Sequence, residues 1–466
     1  MSALEALALE GASTRRRTWA PRAAGIALVA GWAAMSFGAA FHHGAYGADA
    51  VAFVSVGTAL VVAVMAGRVA PSTAPDRVVA AVAGLAVVGG VLYPQGVDGS
   101  GKAYTVSHVL SDMAVAVVAL WLVVGLPWRR VVAYGVIFVM AAAALSLVVS
   151  SPRPGIDVWF MLQAAGRGLS HGRDLYTLRW SSGQPAEQSN GFAYLPGAAV
   201  LLWPFQALFG DVRYGLMVAM TVTAGILVRA RALTTSRSPA VLLGTLVVVS
   251  PSALFGLEQS WIDPLVLLAV CGAAYAVVRG RPGWAVLCLA VALTCKQQAW
   301  LLVPLALFWR GFGWRRTLAA TALAAAAVAP WVVVDPRAFY QGAIAYNLHQ
   351  PARVDSLSLF RTATLWGWHP TFADIAVATL AAMALALWRL PRDTYGFLLG
   401  SAAVMAVFNV ANKQTFFNEW ALAAGLVLAA LVFTGSGPTG DDGWPAVATG
   451  SPRSTAPWRH RGLVRS

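Results

Sequence analysis

Apolar runs of about 17 to 22 residues follow one another along most of the chain, parted by short connections rich in Arg. At a rise of about 1.5 Å per residue, each run matches a hydrocarbon core roughly 30 Å thick. Inside lipid a span must bond its own backbone groups, which an α-helix does. The pattern therefore dictates an all-α fold, a polytopic transmembrane helical bundle. Composition agrees, since 58% hydrophobic and 11% charged residues with a mean hydropathy of +0.67 exclude the soluble globular class.

After a short basic N-terminus, 1–19, spans are predicted at about 20–40, 50–67, 78–93, 107–126 and 131–149. Arg15, Arg16, Arg17 and Arg22, then Arg68 and Arg77, then Arg129 and Arg130 fall on one side of this five-span block, 20–149. The positive-inside rule makes that side cytoplasmic and puts Asp49, Asp98 and the polar stretch after the block outside. The segment AYLPGAAVLLWPFQALFGD carries Pro196 and Pro204 in a short apolar run, and a full crossing there would leave Arg229, Arg231 and Arg237 outside. A juxtamembrane helix over 193–209 and a crossing at about 212–230 keep them inside.

Further crossings are predicted near 239–256, 262–279, 316–334, 372–389, 394–410 and 416–434. Residues 283–309 are interrupted by Lys296, Gln297 and Gln298. A charge at mid-bilayer costs about 2.5–3.5 kcal/mol on insertion scales, so two short helices meeting at a wet outer apex are expected there. The sum is about fourteen crossings with both termini cytoplasmic. The chain then divides into the N-terminal block, a large outer loop with its juxtamembrane helix (150–210), a C-terminal bundle (211–434) and a Gly-, Pro- and Ser-rich tail (435–466), read as disordered.

The net charge of +14 does not point to nucleic acid, because the cations stand in short clusters between spans and report topology. Cys271, Cys288 and Cys295 fall inside or at the end of apolar runs, which gives neither a disulfide framework nor a thiol metal site. The basic run Arg15–Arg17 leads into an apolar stretch too long for a signal peptide, so it is read as leading into the first span. His42 and His43 resemble a metal pair without nearby carboxylates, and no carboxylate cluster demands a cation; no metal or cofactor is expected.

The longest polar interruption, 151–196, holds Asp157 directly after a span, then Gln163, Arg167, Arg173, Asp174 and Tyr176, and closes on Phe192, Tyr194 and Pro196. The predicted sidedness puts 258–263, 296–298, 347–361 and 412–419 on the same face, where one cavity can gather them. Sugar transfer from a lipid phosphate needs such a set. The leaving group is already an acidic phosphate and requires no general acid, one carboxylate serves as base on the acceptor hydroxyl, and cations hold the phosphate.

The order DVWFMLQAAGRGLSHGRDLY, GFAYLPGAAVLLWPFQALFG and RPGWAVLCLAVALTCKQQAWLLVPLALFWR, within about residues 150–435, resembles the membrane glycosyltransferases of the GT-C superfamily. Within them it resembles family 87, the polyprenol-phosphate-dependent mannosyl and arabinofuranosyl transferases. That pattern joins an acidic residue, a G-x-D-x-Y element, an aromatic and proline-rich helix entry, and a lysine within G-L-x-x-x-x-K-x-x-P. The resemblance implies a catalytic aspartate, here Asp157, and a lysine near the donor phosphate, here Lys296. It also implies a polyprenyl-phosphate sugar donor and a glycolipid or glycan acceptor, met at the outer face of a cell membrane. Three departures stand out: four additional spans precede Asp157, Gly197 replaces the second proline of Y-P-P, and Pro304 is displaced in KQQAWLLVP.

The expected site is thus Asp157 as base, with Lys296, Gln297, Arg353, Arg361, Tyr194, Asp174, Asp263 and His349 contacting substrate. Several have a plainer reading. Asp157 is also a good helix cap, Asp174 can order its loop through Arg173, Lys296 can snorkel to the interface, and Glu258 and Asp263 can end a span. The alternative function is a transporter or flippase, which calls for paired broken helices in two repeats; only 283–309 is clearly broken.

Overall fold

The structure is a computed structural model that describes residues 3–67, 77–89, 98–125, 127–181, 191–234, 239–251 and 253–435. Arg68 and the tail beyond 435 lie outside the described residues. Five helices make the N-terminal block: α1 (Ala3–Ala40), α2 (Ala48–Gly67), α3 (Arg77–Val88), α4 (Gly101–Val124) and α5 (Arg129–Ser150). The polar interruption contributes α6 (Asp157–Ser170), followed by α7 (Pro196–Phe209) and α8 (Arg213–Thr234). Short α9 (Leu246–Val249) and α10 (Ala253–Glu258) precede α11 (Asp263–Val278), α12 (Pro282–Cys295), α13 (Val303–Phe308) and α14 (Trp314–Val334). The second loop holds α15 (Pro336–Phe339), a π-turn (Tyr340–Ala345), α16 (Tyr346–His349) and α17 (Leu359–Leu365). The described residues close with α18 (Phe372–Arg389), α19 (Thr394–Ala411) and α20 (Phe417–Phe433).

Helix limits follow local chemistry. Thr371 and Asp374 form a reciprocal capping box at the start of α18, and the Asp393 carboxylate accepts the Gly396 N–H at the start of α19. Gly125 and Gly210 close α4 and α7 at φ of 73° and 79°, a region glycine enters without a Cβ clash. Among the described residues, seven helices are long and apolar enough to cross a membrane: α1 from Pro21, α2, α4, α5, α14, α18 and α19. The protein is a multi-pass membrane protein.

Its axis is α20, buried along its whole length and packed against α1, α8, α11 and α19. A helix apolar on every side belongs in the interior. Peripheral α14 and α18 instead expose Leu323, Val333, Val377, Leu380 and Trp388, the kind of apolar face that membrane helices turn to lipid. The N-terminal block is no appendage, since α1 packs on α20, α2 on α18 and α19, and α5 on α8.

Two expectations meet a different outcome or a sharper one. The crossing expected near 239–256 is not one helix; a 3-10 turn (Pro239–Thr245) and α9 end at Ser250, extended at φ −64° and ψ 151° before Pro251, and α10 begins afresh. A residue before proline is driven out of the helical region, which is the reason for the break. Farther back, α7 and α8 are bent by 116° at residues 210–212, the corner that a juxtamembrane helix followed by a crossing requires. Arg213 holds this corner. Its buried guanidinium donates to both oxygens of Asp211 at 2.7–3.1 Å and to the carbonyl of Ser151 at 2.7 Å, while Gln163 Nε2 donates to the carbonyl of Gly210 at 3.0 Å.

Candidate functional site

The α12 helix stops at Cys295, Lys296 is extended at φ −144° and ψ 136°, and a 3-10 turn resumes at Gln297. The break turns the ammonium inward. Lys296 Nζ donates to both oxygens of Asp263, at 2.9 and 3.1 Å, and to Glu419 Oε1 at 3.0 Å. Asn418 Nδ2 donates to Asp263 Oδ2 at 2.8 Å, and the Phe416 N–H donates to Glu419 Oε2 at 3.0 Å. Asp263 opens α11 and Glu419 lies in the first turn of α20, helix positions that favour a carboxylate. All three ionisable side chains are buried, and two carboxylates against one ammonium leave one negative charge in the cluster.

Asp157 is the first residue of α6, with Ile156 before it as the cap, and its Oδ1 accepts the Val158 N–H at 2.7 Å. Tyr194 lies where the acidic groups meet: burial, then Asp263, Glu419 and Asp157, push its phenol well above the usual tyrosine range. The backbone beside Tyr194 is a hub. Gln297 Nε2 donates to the carbonyls of Ala193 (3.0 Å) and Ala343 (2.7 Å), Asn347 Nδ2 reaches the same two oxygens at 3.1 Å, and Tyr176 OH donates to the Tyr194 carbonyl at 2.9 Å. Residues 193–194 are thereby clamped between the broken helix and the π-turn.

A rim of cations runs along the second loop. Arg353 makes a two-pronged pair with Asp355 at 3.0 and 2.9 Å and lies 4.9 Å from the centre of the Phe416 ring. Asp355 first, and Asp157 more weakly, hold this guanidinium protonated. Arg361 donates to the carbonyl of Val354 at 3.2 Å, and His349 Nδ1 pairs with the carbonyl of Ala345 at 2.9 Å. Segment 412–416 runs beside 350–357: Arg353 N–H donates to Lys413 O at 3.4 Å and Leu357 N–H to Thr415 O at 2.7 Å. Asp174 stands apart, raised in pKa by burial and by Asp335 nearby, with no bond to Asp157 or Lys296 among the described residues.

Below the ion cluster a cleft with about 600 Å³ of atom-free space, partly open, reaches from Asp263 and Asn418 past Trp261 and Phe417 to Met220, Thr223 and, on α1, Trp32 and Ser36. Glu258, expected in the cavity, is the last residue of α10; it is buried and accepts the Asp98 N–H at 3.1 Å, turned toward the N-terminal block. His42 does have a carboxylate partner, Asp49 at 2.9 Å, seven residues on and brought close by the turn into α2.

Residues 192–412 match the model of glycosyltransferase family 87. Over this region the chain is similar to that family. The matched region holds Tyr194, Asp263, Lys296, Gln297, His349, Arg353 and Arg361, while Asp157 and Asp174 precede it and Lys413, Asn418 and Glu419 follow it. No curated protein matches. Among solved structures the chain is similar to ArnT from Cupriavidus metallidurans, crystallised with undecaprenyl phosphate, at 18% identity and a TM-score of 0.41. That match covers 64% of this chain and 59% of ArnT, so the chain spans less than two thirds of its length.

Asn418 and Glu419, which the sequence reading placed in the outer cluster 412–419 without a named contact, complete the Lys296 cluster. Glu419 had a readable signal, a glutamate three residues into a helix start, where a capping box places it. Tyr46, whose hydroxyl lies 3.3 Å from Thr362 Oγ1 and whose ring faces Arg361 at 6.0 Å, had none, being 316 positions from its partner.

Proposed function

We propose that the protein is a membrane glycosyltransferase that moves a sugar, mannose or arabinofuranose, from a polyprenyl-phosphate donor to a glycolipid or glycan acceptor. The observation that carries this reading is the family 87 match over the segment that bears the cation rim, with Asp157 close enough to influence both Tyr194 and Arg353. ArnT, a structure with undecaprenyl phosphate bound, suggests the class of donor but carries no weight for the mechanism. The alternation of basic connections supports an outer-face reaction with cytoplasmic termini and about fourteen crossings.

Asp157 takes the proton of the acceptor hydroxyl. The acceptor oxygen then bonds to the anomeric carbon from the face opposite the phosphate, the bond from that carbon to the phosphate oxygen breaks, and polyprenyl phosphate departs with the electron pair. One displacement inverts the configuration. Arg353 and Arg361 stabilise the departing anion, and Tyr194, Gln297 and His349 shape the sugar pocket. The test is transfer by reconstituted protein from a polyprenyl-phosphate sugar: Asp157→Asn should lose on the order of 100-fold or more in kcat. Full transfer by that variant would remove Asp157 as the base, and vesicle uptake without covalent transfer would replace the enzyme with a transporter.

A further inference from the structure

Lys296 and the two rim cations Arg353 and Lys413 differ in what neutralises them. Lys296 is enclosed by Asp263 and Glu419, and drawing its ammonium to a phosphate would leave two buried carboxylates facing each other. Arg353 shares a half-exposed pair with Asp355, a type of contact that is weak and easily exchanged. Lys413 is half-buried and its Nζ donates to two neutral oxygens, the carbonyls of Leu348 at 2.6 Å and Gln350 at 2.7 Å. No carboxylate pairs with it among the described residues. An ammonium has three donors, so one remains. Burial without a counter-ion lowers its pKa, a strain that a bound anion relieves.

Charge is therefore sorted within the site. Lys413, Arg353 and Arg361 against Asp355 and the nearby Asp157 leave the rim positive, while Asp263 and Glu419 against Lys296 leave the floor negative. A phosphate is drawn to the first and repelled by the second. We infer that the donor phosphate is held on the rim by Lys413 together with Arg353, and that Lys296 is a buried counter-ion of Asp263 and Glu419. The inference rests on the polyprenyl-phosphate reading above and moves the phosphate-binding lysine from the broken helix to the turn between α19 and α20.

The experiment measures binding of a polyprenyl phosphate, and of the same polyprenol without phosphate, to the full chain in detergent. Lys413→Gln should weaken the phosphate lipid at least about tenfold and leave the polyprenol unchanged, and Lys413→Arg should stay within about threefold of the native chain. Lys296→Met combined with Asp263→Asn, which preserves the net charge of the cluster, should bind the phosphate lipid within about threefold of native. Native affinity in Lys413→Gln, equal loss of both lipids in that variant, or loss in the Lys296 and Asp263 double variant alone would each overturn the assignment. Failure of the native chain to prefer the phosphate lipid would overturn the donor reading itself and the assignment with it.

Discussion

Lys296 owes its position to a conflict between charge and solvent. An ammonium within an apolar run has to find oxygen, and the extended backbone at this one residue lets it meet two carboxylates and gain three hydrogen bonds. Removing it leaves Asp263 and Glu419 buried and mutually repelling. Lys296→Met should therefore cost about 3–5 kcal/mol, seen as a lowered Tm of the purified protein in detergent, and adding Asp263→Asn should recover part of the loss. The interruption at 296–298 was legible, because a charge in an apolar run announces a break. The partners were not, since Asp263 lies 33 positions away and Glu419 lies 123 away, distances over which local pattern carries no information. Lys296 thus reads in sequence as a cation available to substrate and in the structure as one already engaged.

The broken helix is kept in place by α7, and Gly197 is where the two meet. A Cβ built there would come within 2.7 Å of the backbone oxygen of Thr294, two residues before Lys296. Backbone yields less readily than a side chain, so Gly197→Ala should push α7 from the end of α12 and cost about 1–3 kcal/mol, checked by the shift in Tm. An unchanged Tm would show that the contact has slack. The departure from a Y-P-P entry now has a steric reason: proline brings a ring where a methyl group already does not fit. At this level much was readable. The limits of α18, α19 and α20 follow from apolar length and capping residues, whereas the break at Ser250 is hidden in 239–256, where the apolar run suggests one span although Pro251 interrupts it.

The N-terminal block packs against the helices of residues 192–435. Beyond the contacts of α1 with α20, Gln259 Nε2 donates to Asp98 Oδ2 at 3.0 Å, Tyr46 bonds Thr362, and Trp32 and Ser36 line the cleft that ends at Asp263. A chain beginning at residue 151 would expose the α20 face that α1 covers and open the cleft. It should not purify as a monodisperse, cooperatively melting protein, and supplying residues 1–150 as a separate chain should restore the transition. A truncated chain with the native Tm would refute this. Sequence reading counted these spans without assigning them a task, because helix-to-helix partners in a membrane are chosen by shape, and apolar faces look alike when only hydropathy is read.

The sequence separations within the Lys296 cluster also order its biogenesis. Synthesis releases Asp263 first, Lys296 soon after and Glu419 last, so the nascent chain can insert a neutral pair long before the third member exists. Only α20 brings the surplus negative charge, and it enters a site already lined with a cation. A chain that stops before residue 419 holds a matched pair, and the excess carboxylate of the site arrives only with α20.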